Sequence, residues 1–165
     1  MTGSTHFAAG AALGAALGAL SGQPLAGAAV GGLAGLVADI DYPGSRLGRE
    51  IRPLAILLEE KWGHRESPAH TLVFLAPMGF ALGLVAGLFL GAPLLALSGV
   101  LGGISHIALD AMTRSGVAPF RFLPFVSRGL REKVYRGPVQ TGRDWREYAV
   151  AAACWLAVAA TVFLR

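Results

Sequence analysis

Apolar residues in this chain run in long uncharged blocks instead of alternating with polar ones. Three blocks stand out: Phe7 to Ala38 with 32 residues, Thr71 to Ile104 with 34, and Tyr148 to Leu164 with 17. A bilayer crossing takes about 20 apolar residues at ~1.5 Å each. The third block therefore predicts one helix, and the first two are too long for one straight crossing. Turn signals divide them. Ser21-Gly22-Gln23-Pro24 and Gly91-Ala92-Pro93 each set a glycine at a helix end and a proline at the next helix start. The pattern predicts five helices, near 6–20, 24–39, 70–90, 93–113 and 146–164. The first two would be only ~22 Å long, which leaves open whether they cross fully.

Composition points the same way. Of 165 residues, 54% are hydrophobic, 15% are charged and 23 are glycine. Soluble domains carry roughly 25% charged residues and about 7% glycine, so a water-soluble class is excluded. The expected fold class is all-α, a polytopic membrane bundle of about five helices in a single domain spanning 1–165. Glycines recur every fourth residue: Gly10, Gly14, Gly18 and Gly22; Gly27, Gly31 and Gly35; Gly79, Gly83, Gly87 and Gly91; Gly99 and Gly103. In lipid, helices associate through close van der Waals approach, so these seams predict glycine-zipper packing. Pore formation along the seams is a rival use of the same pattern. The lone Cys154 excludes an intramolecular disulfide and any paired-cysteine metal motif.

Charge sets the expected orientation. If each long block is a hairpin, the N-terminus, the segment from Asp39 to His70 and the segment from Arg114 to Arg146 share one face. The last of these carries Arg114, Arg121, Arg128, Arg131, Lys133, Arg136, Arg143 and Arg146 against Glu132 and Asp144. The positive-inside rule puts that face in the cytoplasm. Residues 1–6 hold no Lys or Arg for the basic start of a secretory signal peptide. Residues 114–146 thus read as a basic cytoplasmic loop and 146–164 as a C-terminal membrane helix.

All four histidines and three of the four aspartates fall at ends of the expected helices on that same face. They are His6, Asp39, Asp41, His64, His70, His106 and Asp110. His106 and Asp110, at i and i+4, lie one above the other on a helix face. An ionisable pair inside a membrane helix is a functional-site candidate. Nitrogen and oxygen donors without thiolate suit zinc, manganese or iron. Mid-span positions hold only Gly, Ala, Leu and Val-type residues, which argues against a carrier with a binding site at the bilayer centre.

Three stretches carry a family resemblance: Ala38-Asp39-Ile40-Asp41-Tyr42-Pro43-Gly44-Ser45-Arg46-Leu47-Gly48-Arg49, Gly63-His64-Arg65 leading to His70-Thr71-Leu72, and Gly103-Ile104-Ser105-His106-Ile107-Ala108-Leu109-Asp110-Ala111-Met112-Thr113. In this order they resemble the YdjM-like family of inner-membrane metal-dependent hydrolases, described as LexA-regulated. That family is distantly similar to the all-helical zinc-dependent phospholipase C and single-strand nuclease group. The likeness runs from His6 to about Pro124, so 1–124 is the family-like core. One departure stands out. Where the family pattern reads His-Arg-Gly-x-Thr-His-Ser, this chain has His64-Arg65-Glu66-Ser67-Pro68-Ala69-His70-Thr71, one residue longer and without the Gly and Thr. Either the loop bulges at Pro68 and keeps both histidines as ligands, or one is lost and Glu66 or water fills its place.

The resemblance implies His6, Asp39, Asp41, His64, His70, His106 and Asp110 as metal ligands, for one or two divalent ions, zinc first and manganese second. It implies metal-assisted hydrolysis of a phosphoester, with Asp39 or Asp41 as the proton acceptor. Arg65, beside a ligand, joins them as a catalytic residue. Arg46, Arg49 and Arg65 would clamp phosphate oxygens, for which a planar guanidinium is well shaped. A site at the bilayer surface makes membrane lipids the expected partners and a phospholipid the leading substrate class. Nucleic acid is a weaker variant that the basic loop would also attract. The alternative function is a non-catalytic membrane protein that holds metal for structure or sensing. Ala118-Pro119-Phe120-Arg121-Phe122-Leu123-Pro124-Phe125 reads either as a segment in the headgroup layer or as a packed loop.

Overall fold

A computed structural model describes residues 1–164 of the chain. Among them are eight α-helices and no strand: α1 (Gly3–Ala19), α2 (Pro24–Ala34), α3 (Arg46–Glu50), α4 (Arg52–Trp62), α5 (Leu72–Leu90), α6 (Leu95–Ala111), α7 (Arg128–Arg131) and α8 (Trp145–Phe163). Three helical stretches are long and apolar enough to cross a membrane: Pro24–Asp41, Leu72–Leu90 and Trp145–Phe163. α6 is apolar but shorter.

Both expected hairpins form, and their turns follow from glycine. Gly22 (φ 71°) and Gly91 (φ 63°) take the left-handed conformation that other residues resist, and Pro24 opens α2 at its first turn. Within each hairpin the backbones touch. A Cβ on Gly14 would lie 2.0 Å from the Gly27 carbonyl oxygen, and one on Gly99 would lie 1.9 Å from the Gly79 oxygen. α6 packs against the first hairpin as well, where a Cβ on Gly102 would meet the Gly31 oxygen at 2.2 Å. Ser98 Oγ donates to the Gly14 carbonyl at 3.2 Å across the same contact.

α2 is shorter than the expected 24–39. It ends at Ala34, and a 3₁₀ turn, Val37–Asp41, continues the path. The segment from Asp39 to His70 is also more ordered than a polar loop. It folds into α3, α4 and a second 3₁₀ turn, Pro68–His70. Ser45 caps α3 by accepting from Gly48 N at 2.8 Å, the helix-start role such hydroxyls favour. α4 keeps only Ala55 buried and exposes Leu54, Ile56 and Leu57.

The basic segment closes over the end of α6. Arg114 N donates to the Val139 carbonyl and Val117 N to the Tyr135 carbonyl, both at 3.0 Å. Residues 118–125 follow neither expectation in full. Leu72 N donates to the Pro119 carbonyl at 3.0 Å and Arg121 pairs with Glu66 at 2.9 Å, while Phe125 stands exposed. α8 then lies along α1. Its Glu147, fully buried, accepts from Thr5 Oγ1 at 3.2 Å and Gly142 N at 2.6 Å, and also from Thr2 N.

Candidate metal centre

Each chemistry-bearing side chain reaches the centre from the end of an element. His6 sits in the first turn of α1. Asp39 and Asp41 lie on the 3₁₀ turn after α2, where Ser45 Oγ donates to the Asp39 carbonyl at 2.6 Å and folds the following loop back. His64 follows Gly63, which ends α4 at φ 80°. His70 closes the Pro68–His70 turn. His106 and Asp110 occupy the last turns of α6.

The structure brings all seven together. His6 and His106 stack with ring centroids 3.6 Å apart. His106 Nε2 is 3.3 Å from His70 Nε2, 3.4 Å from Asp110 Oδ2 and 3.8 Å from Asp39 Oδ1. His70 Nε2 is 3.7 Å from Asp110 Oδ2, and His6 Nε2 is 3.3 Å from Asp110 Oδ1. Asp41 accepts from His64 Nδ1 at 2.8 Å and from His70 Nδ1 at 2.9 Å, and Ser67 Oγ donates to it too. Three overlapping groups have the donor spacing a metal ion needs: His6, His106 and Asp110; Asp39, His70 and His106; Asp41, His64 and His70.

Proton positions follow from the partners. His106 Nδ1 meets the Gly35 carbonyl at 2.8 Å, so that nitrogen donates and Nε2 keeps its lone pair. His70 Nδ1 donates to the Asp41 carboxylate, again leaving Nε2 as the acceptor. His6 Nε2 donates to the Met1 carbonyl at 3.1 Å, while His6 Nδ1 is buried without a partner. Burial pushes the His70 imidazole below the usual histidine value, against the opposing pull of the Asp41 hydrogen bond. Burial thus favours its neutral form, the form that can donate a lone pair.

His70 Nε2 and His106 Nε2, 3.3 Å apart beside Asp110 Oδ2, make a dense cluster of nitrogen and oxygen donors. Asp110 Oδ2 itself is buried with no hydrogen bond, which is costly unless something fills the gap. The donor set fits a divalent cation: nitrogen and carboxylate oxygen, each histidine oriented through its other ring nitrogen.

Positive groups border the cluster. The Met1 amine lies 2.6 Å from Asp110 Oδ1. Arg65 sits 3.2 Å from the same oxygen and donates to Thr113 Oγ1 at 2.8 Å. Its backbone is left-handed, φ 69°, rare for a residue with a side chain and frequent where function holds a residue in place. The longer histidine loop closes without loss. Ser67 caps the Pro68–His70 turn and both histidines reach Asp41. Glu66 turns away to Arg121, so it does not replace a ligand. Ser67, Thr113 and the Gly35 carbonyl were not singled out from the sequence, although Ser67 before Pro68 carries a turn-cap signal.

A cavity of about 410 Å³ borders the cluster without reaching His70, His106 or Asp110. Its walls include Asp39, His64, Arg65, Arg46, Arg49 and Tyr42. Arg49 is tied by Nε and a terminal nitrogen to the Gly44 carbonyl, at 3.2 and 3.0 Å. Arg46 is exposed and makes no hydrogen bond or ion pair among the described residues.

Comparison with known proteins gives a family. An uncharacterized protein, YvsG of Bacillus subtilis (strain 168), is 30% identical over 118 residues, which is 71% of this chain and 71% of that protein. No solved structure matches the chain. The family described as YdjM inner membrane protein matches residues 1–165, so with its apolar helices and the His and Asp cluster at their ends the chain belongs to that family of membrane proteins.

Proposed function

We propose that this protein is a membrane-bound, metal-dependent hydrolase of phosphoesters. The supporting observation is the meeting of His70 Nε2, His106 Nε2 and Asp110 Oδ2 within bonding reach of one another, beside a cavity that carries three arginines. His70, His106, Asp110 and Asp39 would hold a divalent cation, zinc or manganese, with His6 beside them. The bound cation would supply Lewis acidity and lower the pKa of water.

The protein's own groups divide the remaining work. Asp39 lines the cavity, whereas Asp41 and Asp110 do not, so Asp39 is the proton acceptor for attacking water. Asp41 orients His70 and His64, as outer carboxylates do for metal-binding histidines. Arg46 recruits the phosphate, and Arg65, beside Asp110, balances negative charge on the phosphoryl oxygens. Arg49 shapes the cavity through Gly44. The protein would lie in the membrane as a multi-pass five-helix bundle of α1, α2, α5, α6 and α8, joined by glycine zippers, with the site facing the cytoplasm beside the basic segment.

The rival reading is a closed structural or sensing metal site. It is favoured by one feature: His70, His106 and Asp110 are at most 1% exposed. Purified protein separates the two. The hydrolase reading expects bound metal together with cleavage of a soluble chromogenic ester such as bis-p-nitrophenyl phosphate, with cleavage lost in His106→Ala. Stoichiometric metal with no hydrolysis of phosphomonoesters or phosphodiesters would leave the structural reading in its place.

A further inference from the structure

The cavity beside the cluster meets a second one that adds two aromatic rings to its walls. A second cavity, about 290 Å³, is lined by Gly3, Ser4, Phe7, Leu36, Arg46 and Trp155. Gly3, Ser4, Leu36 and Arg46 line both. Arg46 therefore marks the junction, with Asp39, His64 and Arg65 on one side and Phe7 and Trp155 on the other.

The aromatic part, Phe7 and Trp155, lies between α1 and α8. Phe7 rests on the bare surface at Gly32, where a Cβ would meet the ring at 2.8 Å. Its ring centroid is 6.0 Å from that of Trp155. Trp155 is 49% exposed and is followed by exposed Leu156, on a helix long and apolar enough to cross a membrane. A water-borne ester has no use for such an annex. An amphiphile does: an unpaired guanidinium suits its phosphate, and the aromatic and aliphatic walls suit its chain.

We infer that the site takes a membrane phospholipid, its phosphate drawn past Arg46 into the arginine-lined cavity while an acyl chain stays in the Phe7, Leu36 and Trp155 cleft between α1 and α8. This rests on the hydrolase reading and specifies its substrate class. The chain enters sideways from the bilayer, so the ester linkage reaches Asp39 and the histidines without leaving the membrane surface.

Photolabelling tests it on the full chain. The protein is placed in bilayers of phosphate-free galactolipid with trace phosphatidic acid carrying a diazirine in mid-chain. Adducts are expected to concentrate on Phe7, Leu36 and Trp155 over the equally apolar Leu88 and Phe89. Unlabelled phosphatidic acid should compete, and diolein, which lacks phosphate, should not. Arg46→Ala should lower cleft labelling about tenfold, the loss of one charge-assisted contact. Ser4→Trp, which plugs the junction, should lower it similarly with metal content intact; Leu36→Trp serves if that variant does not assemble. Labels spread along the whole apolar belt, or unaffected by phosphatidic acid, would overturn the inference. Hydrolysis of bis-p-nitrophenyl phosphate by the same preparation would then keep the hydrolase reading and assign it a soluble substrate. Selective labelling without any hydrolysis would keep the lipid site and remove the hydrolase.

Discussion

The apolar helices are of two kinds. α1 and α6 are interior: each is 17 residues long, and buried residues number 10 in α1 and 11 in α6. α5 and α8 are peripheral: each is 19 residues long, with four buried in α5 and only Glu147 in α8. α5, the most hydrophobic of the four, is an outer helix, whereas α8 is peripheral without being more hydrophobic than the interior pair. The interior pair meets its neighbours through Gly, Ala and Ser positions and carries His6, His106 and Asp110. Small residues let backbones close to contact, and the same closeness brings polar side chains from distant segments within bonding reach. In this molecule tight packing and site assembly are one feature.

The largest test of that statement is steric. Gly14→Leu would place a side chain where even a Cβ lies 2.0 Å from the Gly27 oxygen. Backbone cannot yield as a side chain does, so the cost should be about 3 kcal/mol or more. The first hairpin should splay, and His6 and Asp39 with it, so bound metal and thermal stability should fall together. Ala152→Leu on the exposed face of α8 should change stability by less than about 0.5 kcal/mol. Equal effects in a thermal-shift measurement would break the distinction between interior and peripheral helices.

Next come the proposed ligands. His106→Ala and Asp110→Asn remove donors from the centre of the cluster, and metal affinity should fall by more than about 100-fold, beyond the loss expected for an outer-shell partner. The fold should persist, because α6 stays held through Gly99 and Gly102. Metal analysis with size-exclusion chromatography reads both quantities. Retention of metal by both variants would move the centre elsewhere.

Much of this was legible in the sequence, and the parts that were not share a cause. Block length, the Gly-Pro breakers and the four-residue glycine spacing follow from local rules, so the hairpins and their turns were accessible. Seven His and Asp residues at helix ends on one face were accessible too, because topology alone brings them together. The 3₁₀ turn carrying Asp39 and Asp41 was not. It depends on Gly35, whose carbonyl is taken by His106 from 71 residues away. Likewise the link between Glu147 and Thr5 spans 142 residues, and nothing periodic announces it. Arg65 gave no sign of its left-handed backbone, and its side-chain partners, Asp110 near the end of α6 and Thr113 just past it, are distant in the chain.

Asp41 supplies a finer test, since the sequence made it a ligand or base and the geometry favours an orienting role. Asp41→Asn keeps the shape but removes the charge that holds His70 and His64 through their Nδ1 protons. Metal affinity should fall about 10–100-fold, the usual cost of losing an outer carboxylate, which is less than for Asp110→Asn. Calorimetric titration with zinc ranks the two variants; a loss as large as that of Asp110→Asn would make Asp41 a direct ligand.

The smallest effect on the centre should come from Glu147. This carboxylate is the one buried anchor of α8, and it receives Thr5 Oγ1 and Gly142 N at the start of α1 and just before α8. Glu147→Gln keeps the size but offers an amide where two N–H donors already point, Thr2 N and Gly142 N. One of them loses its acceptor, at a cost of about 1–3 kcal/mol. α8 should then loosen from α1 and become more open to protease near Gly142. His106, Asp110 and His70 lie on other elements, so zinc affinity should stay nearly the same. Were the variant to lose zinc as readily as Asp41→Asn, α8 would belong with the interior helices, despite facing outward along nearly its whole length.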